Sequence, residues 1–214
     1  SGLIIFDGTI VSENKNQYNL KKISLPFYNL TETYKNKKQG YILIVKNEIL
    51  FFFWSGKIVR INKKELHNGE TNFYNIENNL DDFFIDHHFK WTGVKDAIYY
   101  KDEIYLSYTN KIKDNCYSVG VLKSKKKYNL SNLTFEKFFN FKECVNIENT
   151  DKFSNKKYFG GFQAGGRLGI LNGDLLLTIG DYRTWNLPQN ENSNFGKIIK
   201  INLESKESEI LSMG

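Results

Sequence analysis

Residues 159–214 read FGGFQAGGRLGILNGDLLLTIGDYRTWNLPQNENSNFGKIIKINLESKESEILSMG. Short apolar or β-branched runs alternate here with turns rich in Asn, Asp and Gly, which is typical of antiparallel strands. The predicted strands are 166–171, 174–180, 196–202 and 207–212. Asn172-Gly173 joins the first two, and Asn-Gly is favoured in two-residue hairpin loops because both positions tolerate positive φ. This stretch therefore predicts a four-stranded antiparallel sheet.

The same arrangement occurs twice earlier in the chain. One set of predicted strands is 41–45, 48–54, 57–62 and 72–76, and the other is 94–99, 103–109, 116–123 and 133–139. Lys46-Asn47 and Lys101-Asp102 take the hairpin position that Asn172-Gly173 takes in the last set. Four-stranded antiparallel units in series are typical of propeller blades. The predicted fold is all-β, a β-propeller fragment of about three four-stranded antiparallel blades.

The blades are assigned to residues 41–80, 90–145 and 160–214, so that the sequence ends inside the propeller. Residues 1–40 contain two predicted strands, 3–6 and 18–25. These strands are expected to belong to a neighbouring or incomplete blade, since they precede the first set of four.

The charge of the chain does not predict a nucleic-acid partner. Its net charge is +6, but only three of the 30 basic residues are arginines: Arg60, Arg167 and Arg183. Arginine is the residue that bidentate phosphate and guanine recognition favours. The longest apolar run, 49–54, is far shorter than the roughly 18 residues of a membrane helix. We therefore expect neither nucleic-acid binding nor a membrane span.

A search for known catalytic motifs finds none. The sequence has no GxSxG, HExxH, P-loop or EF-hand pattern. Strands rather than a helix follow the glycine cluster at 160–166, so this cluster is not a dinucleotide fingerprint. His87 and His88 are adjacent, and neighbouring residues on a strand point to opposite faces. Cys116 and Cys144 lack the CxxC spacing of zinc sites. No metal site is predicted.

The order of features after Gly165 resembles the soluble glucose/sorbosone dehydrogenase family. These features are a Gly-Gly-Arg-Leu turn, a strand ending at Asp181, a long polar loop, a Gly-Lys-Ile-Ile-Lys strand and a closing Ser-Met-Gly. Members of this family are six-bladed β-propellers that use pyrroloquinoline quinone (PQQ). The resemblance covers residues 90–214 and implies half of a six-bladed propeller. Since a further motif follows Ser-Met-Gly in the family, it also implies a second propeller half or a homodimer that completes the ring.

The resemblance implies that the catalytic base is absent. In the family a histidine just before the Gly-Arg-Leu turn takes the proton of the sugar C1 hydroxyl, and here that position is Gln163. An amide cannot accept that proton, whereas imidazole has a suitable pKa. The aspartate that precedes the family's histidine corresponds to Phe162. The aspartate that orients the histidine is retained as Asp181, which is the tentative catalytic residue.

A second family motif is altered in the same way. A glutamine that lies at the family's active site corresponds to Trp91 here, while Gly93, Val94 and Asp96 of the same motif are kept. Residues that the fold needs are thus retained, and residues that the chemistry needs are changed.

Five residues are predicted to bind a ligand: Arg167, Gln163, Trp91, Trp185 and Arg183. Arg167 has two interpretations, an anion contact on the central channel or a structural link to Asp181 or to loop carbonyls. Asp181 can likewise be a turn-capping carboxylate. Trp185 and Arg183 lie in a long loop where aromatic rings suit stacking on sugars. The alternative is that they only fold the loop onto its blade.

Two functions follow from the resemblance. One is a propeller without the usual base that binds a sugar-like small molecule or a partner. The other is a divergent PQQ-dependent sugar dehydrogenase that oxidises an aldose at C1, with PQQ and calcium bound in the full-length protein and none in this fragment. By resemblance the protein is bacterial and periplasmic or secreted. Cys116 and Cys144 then form a disulfide if the protein is exported, and two free thiols are the alternative.

Overall fold

The computed structural model describes residues 5–11, 17–23, 40–67, 72–84, 93–125, 131–146, 161, 163–184 and 186–213. Its first strands are β1 (Ile5–Val11), β2 (Gln17–Ile23), β3 (Gly40–Val45), β4 (Glu48–Phe53), β5 (Ile58–Asn62), β6 (Tyr74–Asn78), β7 (Val94–Tyr100) and β8 (Glu103–Lys113). The remaining strands are β9 (Cys116–Ser124), β10 (Asn132–Leu133), β11 (Phe135–Asn140), β12 (Val145–Asn146), β13 (Gly165–Leu171), β14 (Asp174–Ile179), β15 (Lys197–Ile201) and β16 (Ser208–Met213). A short helix, α1 (Lys63–His67), follows β5.

Three antiparallel meanders form the body of the described structure. We call them the first blade (β3, β4, β5, β6), the second blade (β7, β8, β9, β11) and the third blade (β13, β14, β15, β16). In each, consecutive strands pair in order from the first strand outwards. This confirms the predicted fold class, an all-β propeller fragment of four-stranded blades.

The hairpin turns lie where the sequence places them. Lys46 has φ 55°, Lys101 and Asp102 have φ 50° and 63°, and Asn172 and Gly173 have φ 52° and 92°. In the second and third blades both loop residues have positive φ, which gives a turn whose twist matches that of the flanking strands, and in the first blade Lys46 alone does. These turns fix the register of the first two strands of every blade.

Several strand ends differ from the prediction: β6 lies two residues further along the chain than 72–76, and β8 extends to Lys113 rather than to 109. Leu133 belongs to β10, which pairs in parallel with β6 of the first blade, while β11 begins only at Phe135. The added strand covers an edge that would otherwise expose unpaired backbone groups. β1 ends at Val11 rather than at 6, and the predicted start at 3 lies outside the described residues. The predicted end was wrong because Asp7 and Gly8 are residue types depleted from strands.

The core consists of two apolar layers, one on each side of the second blade. Along β8, Tyr105 packs in the layer shared with the third blade, and Leu106 packs in the layer shared with the first. This alternation is the period of two that a strand imposes on its side chains. A blade buried on both faces therefore holds the other two in place.

The first strands of the three blades, β3, β7 and β13, lie side by side. Strands in this position line the central axis of a propeller. Tyr41, Asp96 and Arg167, near the starts of these strands, interact with one another, so the amino-terminal ends meet at one end of the axis. Within the described ranges, no helix is long and apolar enough to cross a membrane.

Candidate functional site

A β-bulge interrupts each of the inner strands β7 and β13 close to its start. The pairing of β7 with β8 shifts between Val94 and Asp96, and that of β13 with β14 shifts between Gly165 and Leu168. At the second bulge the backbone N–H of Arg167 donates to Thr178 Oγ1 at 2.9 Å. Bulges re-aim the side chains beside them, and here they bring polar groups of two blades together.

Asp96 joins the second blade to the third. Its Oδ2 accepts a hydrogen bond from the backbone N–H of Leu168 at 3.0 Å, and its Oδ1 lies 3.4 Å from Arg167 Nη1. The Asp96 side chain is 12% exposed, whereas that of Arg167 is 73% exposed. The carboxylate is therefore largely committed to the fold, and the guanidinium presents its other donors to solvent at the axis.

Tyr41 and Lys95 complete what we call the axial cluster: Tyr41, Lys95, Asp96 and Arg167. Burial raises the pKa of Tyr41, the negative charge of Asp96 raises it further, and Arg167 opposes the change. Burial lowers the pKa of Lys95 to about 8. Each of the strands β3, β7 and β13 thus contributes to one cluster at the axis.

Gly166 is what allows Lys95 to lie there. A Cβ built on Gly166 would be 2.4 Å from Lys95 Cβ, a separation that real side chains do not tolerate, and Gly166 has φ 101°. The Gly-Gly-Arg-Leu turn singled out in the sequence therefore has a packing role as well as a conformational one. Asp96 was predicted from the sequence as a residue of the fold, whereas Tyr41 and Lys95 were not predicted.

Gln163 lies in the turn that leads into β13. It is exposed and has φ 53°, and its carbonyl accepts a hydrogen bond from the N–H of Tyr182 at 3.2 Å. The chain passes so close to Gly180 that a Cβ there would be 1.7 Å from the Gln163 carbonyl oxygen. The backbone of Gln163 thus joins the loop that begins at Asp181.

Asp181 acts as a turn cap. Its Oδ1 accepts a hydrogen bond from the N–H of Arg183 at 2.9 Å, and its carbonyl accepts one from the N–H of Thr184 at 2.9 Å. Tyr182 and Arg183 both have positive φ, which a carboxylate bonded to the backbone two residues ahead supports. The suggested link between Arg167 and Asp181 is wrong, because the acidic partner of Arg167 is Asp96.

Two of the predicted ligand-binding residues, Trp91 and Trp185, lie outside the described residues, as do Phe162, His87 and His88. The structure brings Gln163, Asp181 and Arg183 together through the backbone contacts of one turn. Arg167 follows on the adjoining strand β13.

Cys116 and Cys144 form a disulfide with a Cα–Cα distance of 5.4 Å. Of the two alternatives that the sequence left open, the structure therefore has the disulfide. The bond ties the start of β9 to the segment that follows β11, where Val145 and Asn146 pair with Tyr117 and Cys116.

The described residues do not by themselves fit PQQ with calcium. Calcium takes six to eight oxygen ligands, and the described part of the chain contains no group of three or more His, Cys, Asp or Glu residues that would hold a metal. Any such site in a longer protein needs residues beyond these.

Comparisons with known proteins give the fold. No family model matches the chain, and none of the curated proteins matches it in sequence. A solved glucose dehydrogenase matches with a TM-score of 0.59 at 12% identity over 77% of this chain and 44% of its own. The apo-form soluble aldose sugar dehydrogenase from Escherichia coli gives 0.58 at 17% identity, over 79% of this chain and 45% of its own.

The PQQ-bound form of an aldose sugar dehydrogenase from Streptomyces coelicolor gives a TM-score of 0.55 at 12% identity, over 78% of this chain and 45% of its own. At such identities the likeness establishes the fold and not the chemistry. This chain has the β-propeller fold of the soluble glucose and aldose sugar dehydrogenases, and it spans about 45% of the length of those that it matches.

Proposed function

We propose that this chain belongs to a propeller similar to the sugar dehydrogenases that binds a small ligand or a partner and takes no proton from it. One observation carries the proposal: the position of the family's catalytic base is Gln163, an exposed residue in a turn with φ 53°. An amide has no basic lone pair for a sugar hydroxyl proton. Asp181, which would be the nearest substitute, caps a turn through Oδ1.

The axial cluster supports binding at the end of the central axis. Arg167 is 73% exposed, and among the described residues Asp96 is the acceptor of its guanidinium. A guanidinium fork recognises a carboxylate or a pair of hydroxyls in bidentate fashion. The proposed ligand is therefore a sugar-like molecule, and a sugar acid fits the positive charge of Arg167 best. The second propeller half or a second copy of the chain is the proposed partner that would enclose this site.

The disulfide supports a location outside the reducing cytosol. Structural disulfides persist in the periplasm and in secreted proteins and are rare in cytosolic ones. Cys116–Cys144 links two segments of the second blade. A periplasmic or secreted bacterial protein is the proposal that agrees with this bond.

The second candidate is a divergent PQQ-dependent sugar dehydrogenase whose site is completed by residues beyond this chain. Two observations favour it. The Streptomyces coelicolor structure of the same fold is a PQQ-bound form. The described residues also engage only Oδ1 of the Asp181 carboxylate, which leaves Oδ2 to accept a proton.

One titration distinguishes the ligand-binding function from the dehydrogenase. PQQ and calcium are added to the full-length protein, and cofactor binding is followed by visible absorbance and sugar oxidation by reduction of an artificial electron acceptor. Stoichiometric binding with oxidation that Asp181→Asn abolishes would establish the dehydrogenase. No binding at micromolar PQQ supports the ligand-binding function.

The ligand-binding function has its own test. We expect D-gluconate to bind the full-length protein more tightly than D-glucose in calorimetric titrations, and Arg167→Ala to weaken D-gluconate binding by about tenfold or more. Lys46→Ala is the matched control, because Lys46 is an exposed cation in the turn at the opposite end of β3 from Tyr41. Equal binding by both variants would show that the axial cluster is not the site.

A further inference from the structure

The loop between β14 and β15 is described over residues 181–184 and 186–195, starts at Asp181 and carries Arg183. We call it the ligand loop. Both of its ends enter the core: Tyr182 and Phe195 are buried, and their rings meet edge to face with centroids 5.7 Å apart. Lys197, which follows the loop, donates from Nζ to the carbonyl of Pro188. The loop is therefore anchored to its own blade at three points.

A fourth anchor comes from the neighbouring blade. The carboxylate of Glu143 accepts three hydrogen bonds from the returning limb of the ligand loop. Oε1 accepts from Ser193 Oγ at 2.7 Å, and Oε2 accepts from the backbone N–H and side-chain Nδ2 of Asn194 at 2.7 and 3.1 Å. Ser193 Oγ in turn accepts from the N–H of Phe195 at 3.1 Å.

These bonds are stronger than ordinary surface contacts. Hydrogen bonds to an ionised acceptor are shorter than neutral ones and about twice as strong. Ser193 is 1% exposed, so its hydroxyl has no alternative partner in solvent. Removing the Glu143 carboxylate would leave a buried hydroxyl and a backbone N–H without their acceptor, which costs more than the net value of the bonds.

Glu143 itself has little regular structure to hold it. Residues 141–144 lie between β11 and β12, and β12 consists only of Val145 and Asn146. The adjacent residue, Cys144, is bonded to Cys116 at the start of β9. The covalent link from β9 thus ends one residue from the carboxylate that holds the ligand loop.

We propose that Glu143 is the positioning residue of the ligand loop and that the Cys116–Cys144 disulfide keeps Glu143 in place, so that the loop is fully ordered only in the oxidised protein. The effect on ligand affinity rests on the proposed binding function. The effect on the loop itself does not.

The redox step is an ordinary thiol–disulfide exchange with an external dithiol. A thiolate of the dithiol attacks one sulfur of the Cys116–Cys144 bond and forms a mixed disulfide, which releases the other cysteine as a thiolate. The second thiol of the reagent then displaces the first cysteine. Two electrons pass to the protein, both cysteines end as thiols after protonation, and the dithiol ends as a cyclic disulfide.

Hydrogen exchange of the full-length protein tests the loop directly. We expect the amides of Asn194 and Phe195 to exchange about tenfold faster or more after reduction and alkylation of the disulfide, and likewise in Glu143→Ala. Glu143→Gln should fall between the wild type and Glu143→Ala, since its amide oxygen still accepts from Asn194 while the Ser193 hydroxyl loses its charged acceptor. Peptides from β4 in the first blade report whether a variant is folded.

Unchanged exchange at Asn194 and Phe195 in Glu143→Ala would overturn the positioning role. Unchanged exchange in the reduced protein, with faster exchange in Glu143→Ala, would overturn the role of the disulfide. If Glu143→Gln behaves as Glu143→Ala while β4 remains protected, the hydrogen-bond geometry is not what positions the loop, and the proposal fails.

Titration with D-gluconate separates this inference from the proposed function. If the wild type does not bind the probe, the binding function fails, while the exchange result still decides whether Glu143 orders the loop. If the wild type binds, we expect about tenfold weaker binding in Glu143→Ala and partial recovery in Glu143→Gln. Equal binding by all three proteins would refute the positioning of the site by Glu143.

Discussion

Replacement of Asp96 by alanine should destabilise the junction between the second and third blades. The change removes the acceptors of the Leu168 and Ala97 N–H groups and the partner of the Arg167 guanidinium. The Asp96 side chain is 12% exposed, so Leu168 loses its acceptor in a place that water reaches poorly. The Arg167 guanidinium remains in solvent and loses little.

A minimum magnitude follows from the Leu168 hydrogen bond and the Arg167 ion pair. A hydrogen bond to a charged acceptor contributes about 1.5–3 kcal/mol, and the loss leaves a backbone N–H without an acceptor. An ion pair with one exposed partner contributes about 0.2–1 kcal/mol. We therefore expect Asp96→Ala to lower the free energy of unfolding by about 3 kcal/mol. For a chain of this size that corresponds to a fall in Tm of about 6–12 °C.

Urea unfolding followed by circular dichroism measures this difference. Arg167→Ala is the matched control, because it removes the ion pair and keeps the Leu168 hydrogen bond. It should cost less than about 1 kcal/mol. Asp96→Asn should fall between the two, since an amide oxygen still accepts from Leu168. Equal losses in Asp96→Ala and Arg167→Ala would refute the reasoning, because the ion pair and not the buried hydrogen bond would then dominate.

Two more predictions concern the same region. Gly180→Ala should lower the free energy of unfolding in urea by roughly 3 kcal/mol or more, because its Cβ would lie 1.7 Å from the Gln163 carbonyl oxygen. Gly169→Ala is the control: its Cβ meets Leu176 at 3.8 Å, so it should cost less than about 1 kcal/mol as an ordinary strand substitution. Equal losses in the two variants would contradict the close approach at Gly180. Burial lowers the pKa of Lys95 from 10.5 to about 8. Between pH 8 and 10.5 the Lys95 amine is therefore protonated in the unfolded state but not in the folded state, so the free energy of unfolding should rise with pH over this range. Relative to Lys95→Met, the wild type should gain up to about 3 kcal/mol between pH 7.5 and 10.5, and a constant difference would show that Lys95 is not desolvated.

The blades could be predicted because their signals are local. In every blade a two-residue turn joins the first two strands, and the strands themselves carry runs of apolar and β-branched residues. β7 begins at Val94 and β14 begins at Asp174, as predicted. The helix Lys63–His67 and the short strands β10 and β12 were missed. Such short elements depend on partners elsewhere in the chain, which local propensity does not reveal.

The candidate site could be predicted only in part. The Gly-Gly-Arg-Leu turn identified Arg167, and the resemblance identified Gln163 and Asp181. Tyr41 and Lys95 carry no local signal, because an isolated tyrosine or lysine in a strand is an ordinary residue. They join Arg167 only because three inner strands from different blades lie side by side.

The sequence by itself determined the strand order, the hairpin turns and the class of fold, since these depend on residue type and on periods of two along the chain. The tertiary structure alone decided which carboxylate Arg167 meets, and it is Asp96, 71 residues away, rather than Asp181. It also brought Glu143 to Ser193 and Asn194, about 50 residues further along the chain. Contacts of that separation depend on how blades pack against one another, which no local pattern encodes.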